Sequence, residues 1–241
     1  MVTPGGARYL VVNADDFGMA PAVNDGIARA HRHGIVTSAS LMVLRPAAPQ
    51  AAFYARGLPG LSVGLHVDLG EWVPGGDGWI PRHRVVDVED EGAVAGEVQR
   101  QLARFRSLVG RAPTHLDSHQ HVHRHEPVRS VMRAIADDLG LPLREHSGVR
   151  YEGAFYGQAG RGEPYPQGIT VDALCAVLDR VPEGWTELGC HPGGAVDDPY
   201  GPERALELEA LCDPRVRKRL DAEGITLRTF TELREVGTPH R

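Results

Sequence analysis

The chain has 241 residues, and 41% of them are hydrophobic, which is enough to bury a full core. Its formal net charge of -6 and its scattered arginines lack the basic surface that nucleic-acid-binding proteins use. The apolar runs are too short to cross a membrane, and the N-terminus lacks the charged and apolar regions of a signal peptide. We therefore expect a cytoplasmic protein with neither a nucleic-acid nor a membrane partner.

Cysteine and lysine are both used sparingly. Cys175, Cys190 and Cys212 are odd in number and lack CxxC spacing, so we assign them no chemistry. Lys218 is the only lysine, and it lies within a basic run that predicts the charged face of a helix. Chemistry that depends on a buried amine, such as a Schiff base, is therefore disfavoured. Catalysis would fall to Asp, His and Arg.

Short apolar runs alternate with longer segments of helical period, the pattern of βα units with a parallel sheet. We predict strands at residues 8–13, 37–44, 61–67, 114–118, 141–145, 186–190 and 225–230. Residues 21–33 predict a helix with proline in its first turn, and apolar residues at three- and four-residue steps predict another over residues 94–108. Seven such repeats predict an α/β fold, a distorted or incomplete (β/α) barrel of about seven parallel strands. Since no linker is evident, we expect a single domain over residues 1–241.

Polar residues follow five of these strands at their carboxyl ends, where parallel α/β folds and barrels bind their ligands. In chain order they are Asp15 and Asp16, His66 and Asp68, Asp117 to His123, Arg144 and His146, and His191. Their convergence on one face predicts a functional site.

The segment HLDSHQHVHRH, residues 115–125, places all five of its histidines on odd positions, with Asp117 in the gap. An extended chain sends alternate side chains to one face, so the spacing predicts a strand running into a loop with these groups on one side. Two imidazoles and one carboxylate supply three metal ligands and leave positions open for water and substrate. We expect one or two of the histidines to do chemistry. The spacing alone does not say which.

Asp15 and Asp16 are adjacent carboxylates at a strand end, and their spacing is consistent with a simple turn before Gly18. The functional interpretation gives them different tasks, because neighbouring side chains on an extended chain point apart. One would bind a metal while the other faces the attacking water.

Gly60 to Gly64 matches the G-x-S-x-G pattern of serine hydrolases around Ser62. That pattern requires a strand before the serine and a helix after it. Here Gly57 and Pro59 precede the serine, and a strand follows it. We therefore expect Ser62 to have no nucleophilic role.

The chain resembles the YdjC-like carbohydrate deacetylases, which include chitooligosaccharide deacetylases. The resemblance runs from Leu10 to about residue 195 and is carried by NADDFG at 13–18, TSAS at 37–40, GLH at 64–66, THLDSHQHVH at 114–123, AFYG at 154–157 and CHPG at 190–193. It implies a distorted (β/α) barrel, one divalent metal ion (Mg²⁺ or Zn²⁺), and removal of acetyl groups from N-acetylated sugars. It also implies Asp16, His66 and His119 as metal ligands and Asp15 as the base.

From this we expect a hydrolase in which metal-activated water attacks the acetyl group. His191 would protonate the leaving amine, and Arg144 would hold Asp15 ionised and oriented, unless it forms only a surface ion pair. Two alternatives stay open. The first is a deacetylase of a hopanoid-linked amino sugar, because residues 23–65 resemble a hopanoid-linked branch of the family about as closely. The second is a non-catalytic metal-binding or sensing protein, which would need no base.

Several features carry no assigned role at this point. A homodimer is a possibility. Trp72 and Trp79 could stack on a sugar or anchor a loop, and the roles of His115, His121 and His123 are unassigned.

Overall fold

The computed structural model of the chain describes residues 6–76 and 78–237. Its strands are β1 (Arg8–Phe17), β2 (Ser38–Leu41), β3 (Ser62–Val67), β4 (Gly70–Pro74), β5 (Trp79–Arg84), β6 (Leu116–Ser118), β7 (Arg150–Glu152), β8 (Gly184–Cys190) and β9 (Ile225–Leu227). Its helices are α1 (Pro21–His33), α2 (Ala48–Gly57), α3 (Glu91–Val109), α4 (Val128–Leu139), α5 (Val171–Leu178), α6 (Gly201–Cys212), α7 (Pro214–Ala222) and α8 (Phe230–Gly237).

Seven of the strands form one parallel sheet in the order β6-β3-β2-β1-β8-β7, with β9 pairing the first residues of β1. Strand β1 lies at the centre and is buried from Leu10 to Phe17, as expected for a strand covered on both faces. Among the described residues, no strand ladder joins β6 to β7, so the sheet is a curled half-barrel. The predicted α/β incomplete barrel is confirmed.

The helices begin and end where the sequence provides local signals. Helix α1 has proline in its first turn, as predicted. Helix α3 begins where the Asp90 carboxylate accepts a hydrogen bond from the Ala93 amide at 3.0 Å, and it ends at Gly110, whose φ of 81° suits glycine. Its predicted apolar stripe, including Val98 and Phe105, is buried against the sheet.

The prediction of a strand at residues 141–145 was wrong. Only Leu143 forms an isolated parallel bridge there, with Leu116. Pro142 has no amide proton to donate to a ladder, and Glu145 has a φ of 64°, which turns the chain out of the extended conformation. The strand beside β8 is instead β7, which was not predicted. The antiparallel hairpin of β4 and β5 was also missed.

Within the part of the chain that the structure describes, no helix is both long enough and apolar enough to span a membrane. The single-domain organisation of residues 1–241 stays a prediction.

Candidate active site

The carboxyl ends of the sheet strands open onto a cavity of about 790 Å³, a volume typical of small-molecule sites. Asp15, Asp16, His66, His119 and His191 all line it. The sequence therefore predicted correctly that these side chains come together, although they belong to segments far apart in the chain.

Asp16, His66 and His119 face one another with ligand atoms less than 4.8 Å apart. Asp16 Oδ1 lies 3.5 Å from His66 Nε2 and 3.3 Å from His119 Nδ1. Asp16 Oδ1 is buried and has no hydrogen-bond partner among the described residues. A buried carboxylate oxygen left unbonded between two imidazole nitrogens is a donor set that binds divalent cations in proteins. The three residues fit a metal ion.

Neighbouring side chains orient this cluster. His66 Nδ1 lies 2.8 Å from Asp117 Oδ1, which leaves Nε2 to face Asp16. Arg204, on α6, donates to the other Asp16 oxygen, Oδ2, at 2.7 Å. Burial alone would raise the pKa of Asp16, but the charge of Arg204 and the two histidines hold it well below its usual value. Asp16 is therefore ionised, with one oxygen held by Arg204 and the other directed at the histidines.

Asp15 turns away from Asp16 and is bonded mainly to Arg144 and Asn13, although it also forms a second close group with His66 and Asp117, whose ligand atoms lie within 4.8 Å of one another. Arg144 Nη1 and Nη2 donate to its two oxygens at 2.7 Å each, and Asn13 Nδ2 donates to Oδ1 at 2.8 Å. Burial would raise the pKa of Asp15, but the Arg144 guanidinium outweighs it and holds the pKa well below the usual range. The two adjacent carboxylates do point apart, partly because Asp16 has a φ of 65°.

Arg144 is buried, so the surface ion pair was the wrong alternative. Its guanidinium lies among three carboxylates: Asp15, Asp117 at 2.9 Å and Glu187 at 2.8 Å. Burial raises the pKa of Glu187 to about 7 in spite of Arg144, since Asp117 and Asp15 are also negative. The strand β8 that supplies Glu187 therefore helps to position Arg144, and the sequence interpretation did not include Glu187.

His191 follows β8, and its Nε2 lies 3.9 Å from Asp15 Oδ2. The fully buried Glu207 accepts a hydrogen bond from the His191 backbone amide, and its Oε1 lies 3.7 Å from His191 Nδ1. Tyr200 also donates to Glu207. Burial would lower the pKa of His191, but Glu207 outweighs it and raises that pKa. The protonated imidazole is favoured, and its Nε2 faces Asp15.

The prediction that the five histidines share one face was wrong beyond Ser118. The chain leaves β6 into a 3₁₀ helix over His119–Arg124, in which Gln120 and His121 have φ values of 51° and 54°. These left-handed residues break the two-residue period and direct only His119 at Asp16.

The other four histidines do not face Asp16, although His121 and His125 also line the cavity. His115 stacks on Phe230 with ring centroids 4.0 Å apart, His121 packs on Tyr151, His123 is buried 2.6 Å from Ser118 Oγ, and His125 is exposed. Burial lowers the pKa of His115 to about 4 and that of His121 to about 2. Both are neutral at pH 7; His115 packs in the core, whereas His121 is half-buried and lines the cavity.

Ser62 lies at the opposite end of the sheet from the cavity. It begins β3, whereas His66 lies four residues along the same strand. Its hydroxyl donates to Ser38 Oγ at 2.9 Å. The strand after the serine contradicts a nucleophile elbow, as expected from the sequence.

The fold and the site together define an α/β half-barrel with a buried His–Asp cluster at the carboxyl ends of its strands. A family model described as YdjC-like protein matches residues 9–222, and the chain belongs to that family. It is 37% identical to a carbohydrate deacetylase of Geobacillus stearothermophilus, covering 94% of this chain and 98% of the relative. It is 31% identical to a chitooligosaccharide deacetylase of Serratia marcescens, covering 94% and 99%.

Solved structures agree with this fold. A protein of Enterococcus faecalis V583, described as a candidate cellobiose-phosphate cleavage protein, matches with a TM-score of 0.79 at 28% identity, covering 94% of this chain and 99% of that one. A family 4 carbohydrate esterase from Streptomyces lividans in complex with acetate matches with a TM-score of 0.57 at 15% identity, covering 92% and 93%. The second likeness shows the fold alone.

Proposed function

We propose that the chain is a metal-dependent hydrolase that removes the N-acetyl group from an acetylated sugar, such as a chitooligosaccharide. One observation carries the proposal. Two adjacent buried carboxylates have separate partners: Asp15 is clamped by Arg144, while Asp16 offers an unbonded oxygen to two imidazoles. The names of the relatives, carbohydrate deacetylase and chitooligosaccharide deacetylase, supply the substrate class.

Asp16, His66 and His119 would hold the divalent ion. When bound, the ion supplies Lewis-acid polarisation of the acetyl carbonyl and a lowered pKa for a coordinated water. Two imidazoles and one carboxylate suit Zn²⁺ better than Mg²⁺, which prefers oxygen ligands, and both are tested below.

Asp15 is the general base in this proposal. Its carboxylate lines the cavity beside the ligand cluster and is ionised, so it can accept a proton from the attacking water. Arg144 holds both oxygens and fixes the direction in which the carboxylate faces. Water adds its oxygen to the acetyl carbon, and its proton passes to Asp15.

His191 is the general acid. It lines the cavity with its Nε2 3.9 Å from Asp15 Oδ2, and Glu207 favours its protonated form. As the C–N bond breaks, the amine nitrogen takes its proton from His191, so that acetate and a free amino sugar leave. The acid and the base therefore come from the ends of neighbouring strands, β8 and β1.

A non-catalytic metal-binding protein would need neither Asp15 nor His191, and one variant separates the two functions. We expect Asp15→Asn to keep one metal ion per chain and to stay folded at the assay temperature, with a lowered melting temperature because its ion pair with the buried Arg144 is lost. Its kcat for acetate release should fall about 10²- to 10⁴-fold, the usual effect of removing a general base. The assay is acetate release from N,N′-diacetylchitobiose with Zn²⁺ or Mg²⁺, together with elemental analysis.

Asp138→Asn is the matched control, because Asp138 is exposed on α4 and lies outside the cavity. It should leave both readouts unchanged. Near-normal turnover in Asp15→Asn would remove Asp15 from the mechanism, and joint loss of metal and turnover would make it a ligand. Absence of acetate release from the wild-type protein with either metal would contradict the proposed function itself.

A further inference from the structure

Two tyrosine rings enclose the imidazole of His191. Tyr200 lies tilted against it with ring centroids 5.2 Å apart, and Tyr156 meets it edge-on at 5.4 Å. The two tyrosine rings stack on each other with centroids 4.7 Å apart and an interplanar angle of 11°. Aromatic rings at these separations attract one another and fill the space into which the imidazole could rotate. His191 is therefore confined to a narrow range of orientations.

The Tyr200 hydroxyl links this packing to Glu207 through two buried hydrogen bonds. It donates to Glu207 Oε1, and it accepts from the Gly157 amide at 2.7 Å. Glu207 uses its other oxygen, Oε2, to accept from the His191 backbone amide. Tyr200 thus fixes which oxygen of Glu207 is available to the imidazole.

That oxygen faces the buried nitrogen of the imidazole. His191 Nδ1 lies 3.7 Å from Glu207 Oε1, and it makes no hydrogen bond among the residues that the structure describes. Hydrogen bonds of catalytic groups are often long before substrate binds and shorten in the complex. With Nδ1 directed at Glu207, Nε2 is left to face Asp15 and the cavity, which is the orientation that a proton donor to the leaving amine requires.

The local sequence explains how these groups come together. Tyr200 is the residue before α6, and Glu207 follows it by seven residues, so the two side chains lie on the same face of the helix. A Cβ at Gly157 would lie 2.7 Å from Glu203 Cγ, on the same helix. Glycine therefore lets the loop approach α6 closely enough for its amide to reach the Tyr200 hydroxyl.

We infer that Tyr200 is a positioning residue for the proposed reaction: its hydroxyl holds Glu207 Oε1 against His191 Nδ1, so that the imidazole presents Nε2 to the leaving amine. The inference rests on the proposed function and adds a residue to it. Tyr200 transfers no proton itself. The proton on His191 Nε2 passes to the amine nitrogen as the C–N bond breaks, and Glu207 remains a carboxylate throughout.

The first test is a double-mutant cycle on acetate release from N,N′-diacetylchitobiose. Tyr200→Phe keeps the ring and removes the hydroxyl, so kcat should fall about tenfold and KM should change less than about twofold. In a His191→Asn background the same substitution should change kcat less than about twofold, because the residue through which it acts is gone. Tyr165→Phe is the matched control, since Tyr165 is exposed and is not among the described residues that line the cavity.

The second test changes the leaving group. p-Nitrophenyl acetate releases a stable phenolate that needs no proton, so its hydrolysis does not depend on a positioned acid. Tyr200→Phe should therefore change turnover of this ester less than about twofold, while turnover of the disaccharide falls about tenfold. Glu207→Gln keeps the shape of the side chain and should show the same selectivity. It tests the same contact if circular dichroism shows that Tyr200→Phe is misfolded.

The outcomes separate the two proposals. An equal loss on the amide and the ester, or a tenfold loss that persists in the His191→Asn background, would overturn the positioning role and leave the deacetylase function standing. If the ester is not a substrate, the cycle alone decides. Near-normal turnover in His191→Asn would overturn both the acid and the role of Tyr200. Absence of acetate release from the wild-type protein would instead refute the proposed function.

Discussion

Replacing Arg144 with glutamine is the most informative perturbation of the buried charges. In the wild-type protein its guanidinium contacts Asp15, Asp117 and Glu187 at 2.7 to 2.9 Å, and its side chain is 1% exposed. The variant leaves three buried carboxylates without their shared cation. Removing one partner of a buried ion pair costs about 3–5 kcal/mol, a large part of the about 5–15 kcal/mol by which domains are stable.

The assay is urea unfolding followed by circular dichroism at pH 7, where this loss lowers the midpoint by about 1–2.5 M for an m-value of about 2–3 kcal/mol/M. Arg124→Gln is the matched control. Arg124 makes an equally good two-bond contact with Glu145, but it is 43% exposed, so its removal should cost less than about 1 kcal/mol. Arg144→Lys should fall between the two, because lysine keeps the charge but loses the guanidinium fork.

The pH dependence gives a second check. In the wild-type protein the pKa values of Asp15 and Asp117 are lowered, so their stabilisation is present at neutral pH and is lost as the pH falls. Without Arg144, burial would raise these pKa values, and the variant would lose stability as the pH rises above about 4. The stability gap between wild type and Arg144→Gln should therefore narrow from pH 7 to pH 4. A cost no larger than that of Arg124→Gln, or a gap independent of pH, would refute the charge account.

Two further predictions follow from the site. His119→Ala should abolish stoichiometric binding of the divalent ion in elemental analysis, whereas His125→Ala, which changes an exposed residue of the same segment, should retain it. Full retention of the ion in His119→Ala would mean that another histidine is the ligand. Burial lowers the pKa of His115 to about 4 in the folded protein. Below pH about 6.5 this histidine is therefore protonated in the unfolded chain but not in the folded protein, so the free energy of unfolding falls as the pH drops. His115→Gln should therefore lose about 2 kcal/mol less stability than wild type between pH 7 and pH 5 in urea unfolding, and parallel pH slopes would contradict this.

The sequence predicted the sheet well where strands are central and apolar. Residues 8–13, 61–67 and 186–190 were predicted as strands because they form short runs bounded by turn residues, and each lies within or overlaps an observed strand. Because the strands are parallel, their carboxyl ends lie on one face, and that rule alone brought Asp15, Asp16, His66 and His191 together. Short strands at the edge of the sheet were not predicted correctly. Strand β7 has only three residues, and residues 141–145 have the apolar pattern of a strand but form only an isolated bridge.

The choice among the histidines could not be made from spacing. The period of two assumes a continuous extended chain, and the left-handed conformations of Gln120 and His121 are set by tertiary contacts rather than by local propensity. One of these contacts is the pair of hydrogen bonds between Gln120 and Trp72, on a hairpin that the sequence did not reveal. The family resemblance supplied His119 where the pattern left five alternatives.

Helix α6 shows why part of the site had no sequence signal. Arg204 and Glu207 are three residues apart and share one helical face, a spacing that normally predicts a solvated ion pair on the surface. Both are buried instead, because Arg204 reaches Asp16 and Glu207 reaches His191. A single turn of α6 thus supplies the counter-charge for the candidate ligand cluster and for the proposed acid. A shift of this helix along its axis would displace both contacts together, so its packing fixes the spacing between the two halves of the site.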